Sequence, residues 1–461
     1  MFKTVYKSYL LFCCISLVIF STHSFSQPID YPVSIKGNTQ DNYHGIIIDD
    51  PYRGLEDLNS DQTQAWIIEQ NRFTDSYLDD LIEQKEIKLL LEKIYNKENQ
   101  SVPFRRKSKI FTYYNNGTWQ QSKLFYKETT EDKKTLVIDP NLLSKDGTVS
   151  IGSVSVSPNS ELIAYSISDG GSDWKTWKIK HINSGNILED TIQWSKFSNA
   201  EWAKDNSGFY YSGYSEPQKG DEYKELNRNQ KLFFHTLGQP QSNDQLIYER
   251  PEHPEWGWGT TITEDGHFLI LSVSEGTDER NRLFYKDLRK DESFVELIPD
   301  LRAQFTFLGN EGSIFWFSTD LNAPKGKVIS IDINHPEEHN WKVLIAEQND
   351  ALTNVEILEN YILCQYLKNV ASEVFLYEKE SLKKKAINFN KQGIISNIST
   401  NQDSDIFYFS YTNYIQPNQI YKYNAKNNDI SLLWAKEIPQ FNSDDYISQQ
   451  VFYPTMDGTM I

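Results

Sequence analysis

The sequence predicts an all-β fold, a seven-bladed β-propeller, from three observations. Runs rich in β-branched and aromatic residues alternate with polar turns, as in residues 151–185, where turns at 157–160 and 169–172 separate three strands. Similar units recur near residues 110, 200, 260, 307, 355 and 395, a spacing of roughly 40–50 residues that is typical of propeller blades. Small antiparallel sheets also need neighbours to cover their faces. A pair of β-sandwiches is the alternative architecture for such a sequence.

The first 26 residues have the pattern of a secretory signal peptide. Lys3 and Lys7 precede an apolar run over residues 9–20, and small residues surround the expected cleavage point after Ser26. The apolar run is too short to span a bilayer comfortably. We therefore expect an exported protein, periplasmic or secreted, with no membrane association once the signal is removed.

Residues 27–100 predict a small helical segment instead of further strands. Asn59 or Ser60 can cap a first helix that carries Trp66 and Phe73 on one face. A second amphipathic helix follows, with apolar residues at helical spacing at Ile87, Leu90, Leu91 and Ile94. Because propeller faces consist mainly of polar loops, we expect these stripes to pack on another domain.

Composition excludes some classes of function. The net charge of −18 argues against nucleic-acid binding, since a polyanion would be repelled. Beyond the predicted signal peptide the only cysteine is Cys364, in an apolar run, so the sequence predicts a buried thiol and no internal disulfide.

No metal site is expected. The run His335-Pro336-Glu337-Glu338-His339 matches a zinc pattern by letter, but that chemistry needs a helix, and the flanking strand-like residues predict a loop. Asp169 and Asp173 have the composition of a calcium-binding turn, although ordinary turn chemistry explains them without an ion.

Five motifs follow one another along the chain: YHGIIIDDPYRGLED (43–57), GSDW (171–174), NQKLFFHTLG (229–238), EGTDERNRLFY (275–285) and QVFYPTMDGTMI (450–461). In sequence, order and spacing they resemble the prolyl oligopeptidases, serine peptidases that cut short peptides after proline. The resemblance covers essentially all of the chain after the signal peptide. Gly54 stands where the family usually has tryptophan, so an aromatic anchor is lost and we expect a looser loop.

The resemblance implies a two-domain enzyme that needs neither metal nor cofactor. A seven-bladed propeller gates access to an α/β-hydrolase domain built from both chain ends. The implied organisation is a helical segment that packs on the hydrolase domain at 27–100, the propeller at 101–445 and the first hydrolase strand at 446–461.

The catalytic triad of such an enzyme is expected to be missing. The hydrolase fold places its serine in a Gly-x-Ser-x-Gly type turn, and these 461 residues contain none. We therefore expect a truncated propeller portion that is inactive alone. Short proline-containing peptides become substrates if a catalytic domain is supplied, for example as a separately encoded hydrolase domain. The alternative is a non-catalytic propeller that binds peptides or a protein partner.

Three positions are predicted to face the substrate from the propeller. Alignment on GSDW places Ile179 where the family tends to have an aromatic wall residue. Alignment on the EG of EGTDERNR places Ser274 at an often basic position and Thr277 at one that is often cysteine. All three depart from the family pattern, so the resemblance predicts weakened peptide binding by the propeller.

Overall fold

The computed structural model describes residues 30–129, 133–218, 226–387, 389 and 392–461. The signal peptide predicted for residues 1–26 lies outside these ranges. The chain divides into two compact units, Met1–Leu89 and Leu90–Ile461. Within the described ranges, no helix combines the length and the apolar character that crossing a membrane requires.

The first unit contains a β-hairpin and the predicted helical segment. Ser60 caps the first helix, α1 (Asp61–Asp79), as predicted, because its Oγ accepts a hydrogen bond from the Thr63 backbone N–H at 3.2 Å. The second helix, α2 (Ile82–Tyr95), crosses the boundary between the two units. The elements are strands Gln40–Tyr43 and Ile46–Asp49, a 3-10 helix Arg53–Glu56, α1 over Asp61–Asp79 and α2 over Ile82–Tyr95.

The loop around Gly54 is held by charges. The Arg53 guanidinium forms ion pairs with Asp41, Asp50 and Glu56, and its hydrogen bonds to Asp50 and Asp41 raise the pKa of Arg53. A Cβ atom at Gly54 would meet no atom within 4 Å. Ionic contacts therefore stabilise this loop in place of the aromatic anchor whose loss the sequence indicated.

Seven antiparallel sheets of consecutive strands confirm the predicted seven-bladed propeller. The first strands of neighbouring blades contact one another, for example those of blades 2 and 3. The first strands therefore surround the central channel. In blade 1, two short pieces share the first-strand position beside Lys109–Asn115.

The first strands of blades 1 to 7 are Asn99–Gln100 with Phe104–Arg106, Ser150–Val156, Glu201–Trp202, Trp256–Ile262, Phe305–Glu311, Ala351–Ile357 and Ile394–Asn401. The second strands are Lys109–Asn115, Leu162–Ser168, Gly208–Gly213, Phe268–Glu275, Ile314–Thr319, Tyr361–Lys368 and Ser404–Asn413. The third strands are Lys123–Glu128, Lys175–His181, Lys231–Thr236, Arg282–Asp287, Lys327–Asp332, Ala371–Glu378 and Gln416–Asn424. The fourth strands are Thr135–Ile138, Ile187–Ser195, Gln245–Tyr248, Val295–Ile298, Lys342–Ile345, Lys384–Ala386 and Asp429–Ala435.

Six of the seven interfaces between blades are hydrophobic. Each pair of consecutive blades from 1–2 to 6–7 shares a cluster of buried apolar side chains. The interface of blades 2 and 3, for example, buries Trp177, Ile192, Trp202 and Phe209. Cys364 lies in the cluster of blades 5 and 6 as a free, buried thiol, which confirms its prediction.

Buried amide side chains join blades at the channel, where first strands would otherwise leave backbone groups unpaired. Asn281 in blade 4 accepts a hydrogen bond from the Phe305 N–H at 2.7 Å and donates to the Phe305 carbonyl at 3.0 Å. Gln230 in blade 3 accepts from the Trp258 N–H at 2.7 Å. Both amides lie in motifs that carried the family resemblance, which gives those motifs a structural role.

The interface between blades 7 and 1 is different. A cavity of about 510 Å³ lies there, lined mostly by polar residues such as Gln100, Asn397, Ser410 and Asn418. An ion pair between Arg105 and Asp403 also joins the two blades. The ring is therefore closed largely by polar contacts at this one interface among the described residues.

The last residues form a short hairpin, and the expectation that residues 446–461 begin a hydrolase domain stays a prediction. Tyr453 and Ile461 exchange backbone hydrogen bonds of 2.9 and 3.0 Å, and a β-bridge pairs Pro454 with Met460. Gly458 adopts a left-handed φ of 85° in the turn, a conformation that glycine tolerates without strain.

Candidate functional site

The two faces of the propeller differ in the loops they carry. Because each blade has four antiparallel strands, the chain begins and ends every blade at the same face. This near face carries the loops between second and third strands and those between blades. The far face carries the loops that join first to second and third to fourth strands.

Charged side chains cross the channel at the far face. Glu264 of blade 4 forms ion pairs with Arg106 of blade 1 at 3.7 Å and with Lys204 of blade 3 at 3.1 Å. Gln402 of blade 7 donates a hydrogen bond to the Leu308 carbonyl of blade 5. The Glu264–Arg106 and Gln402–Leu308 contacts join blades that are not neighbours, so they narrow the far mouth of the channel.

A buried carboxyl lies behind this charged crossing. Glu201 begins the first strand of blade 3, and burial raises its pKa to about 7 in spite of the nearby Arg106 and Lys204. Outside the crossing, carboxylates dominate a cavity of about 1280 Å³, among them Glu311, Glu359 and Asp403. The far mouth is therefore narrow, and its surroundings are acidic.

The near half of the channel holds a cavity of about 510 Å³ lined by residues of blades 2 to 5. Lys175 and Asp173 supply its only charged groups among the described residues. Polar groups of Ser153, Ser198 and Thr260 lie beside an exposed ring, Phe197. Such a mixture of one aromatic surface, several hydrogen-bonding groups and one cation suits a short polar chain with apolar side groups.

Phe197 is presented by strained backbone. Its φ is 51°, and Trp194 three residues earlier has a φ of 56°, values that bulky side chains rarely adopt. The loop is fixed because Ser198 Oγ accepts a hydrogen bond of 2.7 Å from the Ser212 N–H. The ring of Phe197 remains 58% exposed at the cavity. Strain held in place by its surroundings is common at binding sites.

An aromatic cluster supports this loop. Trp174 contacts Trp194 and Tyr214 edge-on, with ring centroids 5.4 and 6.1 Å apart. The ammonium of Lys196 lies 3.7 Å from the Trp174 ring centroid, a cation–π contact, and donates to Asn227 Oδ1. The GSDW motif therefore contributes its tryptophan to the wall behind the cavity.

The three predicted substrate-facing residues are placed differently. Ile179 is fully buried in the hydrophobic cluster of blades 2 and 3, so the expectation that it faces a substrate is corrected. The physical reason is strand alternation, because Trp177 and Ile179 point to the same interface. Ser274 and Thr277 are exposed near the second-to-third strand loop of blade 4, and the Ser274 hydroxyl donates to the Gly257 carbonyl. Their role stays a prediction.

Sequence reasoning missed Lys175 and Phe197, the two most distinctive side chains of the near cavity. Lys175 immediately follows GSDW, but nothing in the spacing shows that it reaches the channel. The only signal for Phe197 was an aromatic residue between polar neighbours in a loop between blades.

The zinc-like run at 335–339 is a loop, as predicted. A turn leads into a 3-10 helix over Glu338–Asn340, and Glu338 pairs with Arg302 at 2.8 Å. Within the described ranges, no group of histidine, cysteine and acidic side chains has the arrangement of a metal site.

Among the described residues, the large exposed apolar side chains on loops within and between the blades all lie at the near face. They are Leu142, Leu143, Phe197, Leu226, Val370 and Tyr414, the last of which is 94% exposed. None of the described loops of the far face carries a large exposed apolar side chain. The two faces of the propeller therefore differ in exposed apolar side chains among the described residues.

Comparisons with known proteins agree with the fold and with the motifs. The family model for the N-terminal β-propeller domain of prolyl oligopeptidase matches residues 32–436. The prolyl endopeptidase of Elizabethkingia meningoseptica is 33% identical over 436 residues, 95% of this chain and 61% of its own length. The dual function macrocyclase-peptidase POPB of Amanita bisporigera is 28% identical, over 94% of this chain and 64% of its own.

Solved structures show the same relationship. A prolyl endopeptidase superposes with a TM-score of 0.83 at 26% identity, over 94% of this chain and 63% of that one. Prolyl oligopeptidase B of Galerina marginata, bound to a 35mer hydrolysis and macrocyclization substrate, superposes with a TM-score of 0.81 at 27% identity, over 94% and 64%. This chain thus spans less than two thirds of the length of these relatives.

Proposed function

This chain belongs to the prolyl oligopeptidase family, and we propose that it is the access-controlling propeller portion of a serine-type prolyl peptidase. The near cavity receives short proline-containing peptides, and the near face docks a catalytic α/β-hydrolase domain. The far mouth, crossed by ionic contacts, limits passage through the channel.

The observation that carries this proposal is that the two propeller faces differ in exposed apolar side chains. A domain interface needs apolar surface, and the exposed apolar loop residues lie at the near face, beside the cavity. In the first unit, the hairpin residues Ile46, Ile47 and Ile48 are each more than half exposed, as are Ile87 and Leu89 of α2. These surfaces supply further area for a catalytic domain.

The chain supplies no catalytic nucleophile to such a reaction. Peptide hydrolysis by this class needs an activated serine and an oxyanion hole. The sequence has no Gly-x-Ser-x-Gly type turn, and we propose that the chain positions and filters peptides without cutting them.

A peptidase assay tests this division of roles. The purified chain incubated with succinyl-Gly-Pro-p-nitroanilide is expected to release no nitroaniline above the buffer rate, because no serine is activated. The Elizabethkingia meningoseptica prolyl endopeptidase serves as the positive control. Turnover by this chain that a serine-directed phosphonate abolishes would contradict the proposal.

A second candidate is a non-catalytic module that binds peptides or a protein partner. This role is favoured because every described residue that lines the near cavity belongs to the propeller. Peptide binding by the isolated chain, with no association with a separately produced hydrolase domain of the family, would favour this second role.

We also propose that the protein is exported to the periplasm or beyond the cell. The basic start, the short apolar run and the small residues before position 27 support this proposal. Fractionation of cells that produce the full chain tests it, with the cytoplasmic fraction as the contradicting location.

A further inference from the structure

Lys175 belongs to the third strand of blade 2, yet its side chain lines the near cavity. It begins the third strand of blade 2, two strands away from the channel. Its aliphatic stem passes Gly152 on the first strand, since a Cβ atom there would lie 3.5 Å from Lys175 Cε. The same Cβ atom would lie 2.6 Å from Ser166 Oγ on the second strand, a distance that real Cβ atoms essentially never show. Glycine at position 152 therefore avoids a clash with Ser166 Oγ, and a Cβ atom there would be in ordinary contact with the Lys175 stem.

An irregularity in the sheet supports the same geometry. The register between the first and second strands shifts between Ile151 and Val154, around Gly152. Ser166 Oγ accepts a hydrogen bond of 2.8 Å from the Ser153 N–H, which satisfies the backbone at this point. The bulge is thus a built feature of the cavity wall and not a loose segment.

The ammonium group of Lys175 has no partner among the residues that the structure describes. Its nearest lysine neighbours on the strand do: Lys178 donates to Thr191 Oγ1 at 2.7 Å, and Lys180 donates to the Val137 carbonyl at 2.6 Å. Neither a hydrogen bond nor an ion pair joins Lys175 to Asp173, the other charged residue of the cavity. A half-buried ammonium without an ion-pair partner among the described residues is available to bind an anion.

The other groups of the cavity restrict which anion fits. Phe197 offers an exposed ring on which an apolar ring or side chain can lie, and the side chains of Ser153 and Thr260 line the same cavity. A small inorganic anion would leave the aromatic surface uncovered. A short peptide that ends in a free carboxylate uses both the cation and the ring.

We propose that Lys175 binds the carboxylate of peptides held in the near cavity, with an apolar residue of the peptide against Phe197. This inference rests on the proposed peptide-binding role and adds a specificity to it: preference for short peptides whose C-terminal carboxylate is free. The positive charge of Lys175 accounts for this preference.

Calorimetric titration of the full chain with acetyl-Ala-Pro-Ala tests the proposal, comparing the free acid with the C-terminal carboxamide at low salt. We expect the acid to bind about tenfold more tightly, as a hydrogen bond to a charged group allows. Lys175→Met should abolish this preference and leave the affinity for the carboxamide unchanged. Lys175→Arg, which keeps the charge, should retain most of the preference. Lys178→Met is the matched control on the same strand and should bind as the unchanged chain does.

The outcomes separate this inference from the peptide-binding role. Equal binding of acid and carboxamide, or a preference that survives in Lys175→Met, would overturn the assignment of Lys175 while the peptide site stands. Binding of neither peptide would overturn both. Circular dichroism of each variant shows whether a loss of binding comes from a loss of fold.

Discussion

Replacing His235 with glutamine is expected to lower the free energy of unfolding of the propeller by about 3–5 kcal/mol. His235 is fully buried, and its two ring nitrogens lie 2.7 Å from Asp244 Oδ1 and 3.0 Å from Asp190 Oδ1. Both carboxylates are nearly fully buried, and they also accept hydrogen bonds from the Tyr211 hydroxyl and the Gly238 N–H. Without the imidazolium, two buried negative charges would face one another across blades 2 and 3.

The same cluster predicts a dependence of stability on pH. Both ring nitrogens lie within hydrogen-bond distance of carboxylate oxygens, and the protonated imidazole can donate to both. Burial opposes this charge, but the hydrogen bonds to Asp244 and Asp190 outweigh it and raise the pKa of His235 above 6.5. Because the pKa of His235 is higher in the folded than in the unfolded state, protonation of His235 stabilises the folded chain. This stabilisation is complete below pH 6.5 and is lost as the pH rises through the folded-state pKa of His235.

Denaturant unfolding between pH 6 and pH 9 measures both effects. The unchanged chain should lose stability as pH rises, while His235→Gln should lack this component. His181→Gln, at an exposed histidine that ends the third strand of blade 2, is the control and should change stability by less than about 0.5 kcal/mol. An unchanged unfolding midpoint in His235→Gln would contradict the role given to the cluster.

Replacing Trp177 with alanine is expected to cost about 3–5 kcal/mol, because it empties a fully buried volume between blades 2 and 3. The indole N–H also donates to Ser195 Oγ at 3.2 Å, and Ser195 Oγ donates to the Ser212 carbonyl at 2.8 Å. This chain of hydrogen bonds ends beside the strained loop of Phe197. Loss of Trp177 should therefore loosen the near cavity as well as the blade interface.

Thermal unfolding with hydrogen exchange over residues 190–200 measures this prediction. Trp119→Ala, in the second-to-third strand loop of blade 1, is the control, since Trp119 is only partly buried. If Trp177→Ala unfolded no earlier than Trp119→Ala, the interface would not have the importance assigned to it.

The blade architecture was predictable because each blade is a local unit of consecutive strands. Alternation of β-branched and aromatic residues with turns marks such units one at a time, and the cap at Ser60 is equally local. The hydrophobic interfaces then follow, since every sheet has faces to bury.

The site was less predictable because it depends on side chains from separate strands. Ile179 was aligned by motif, yet the strand turns it into the interface of blades 2 and 3. Lys175 reaches the near cavity from the third strand of blade 2, past Gly152 on the first strand, where the register between the first two strands shifts. The strain at Phe197 is a property of backbone angles that composition does not reveal.

The central claim is that peptides bind at the near face of the propeller. Hydrogen exchange of the full chain with and without saturating acetyl-Ala-Pro-Ala is its most direct test. We expect slower exchange around residues 173–175, 196–199 and 258–261, which line the near cavity. Residues 264–265, 359–360 and 402–403 at the far mouth should be unaffected. Protection confined to the far mouth, or absent from the near cavity, would contradict the account.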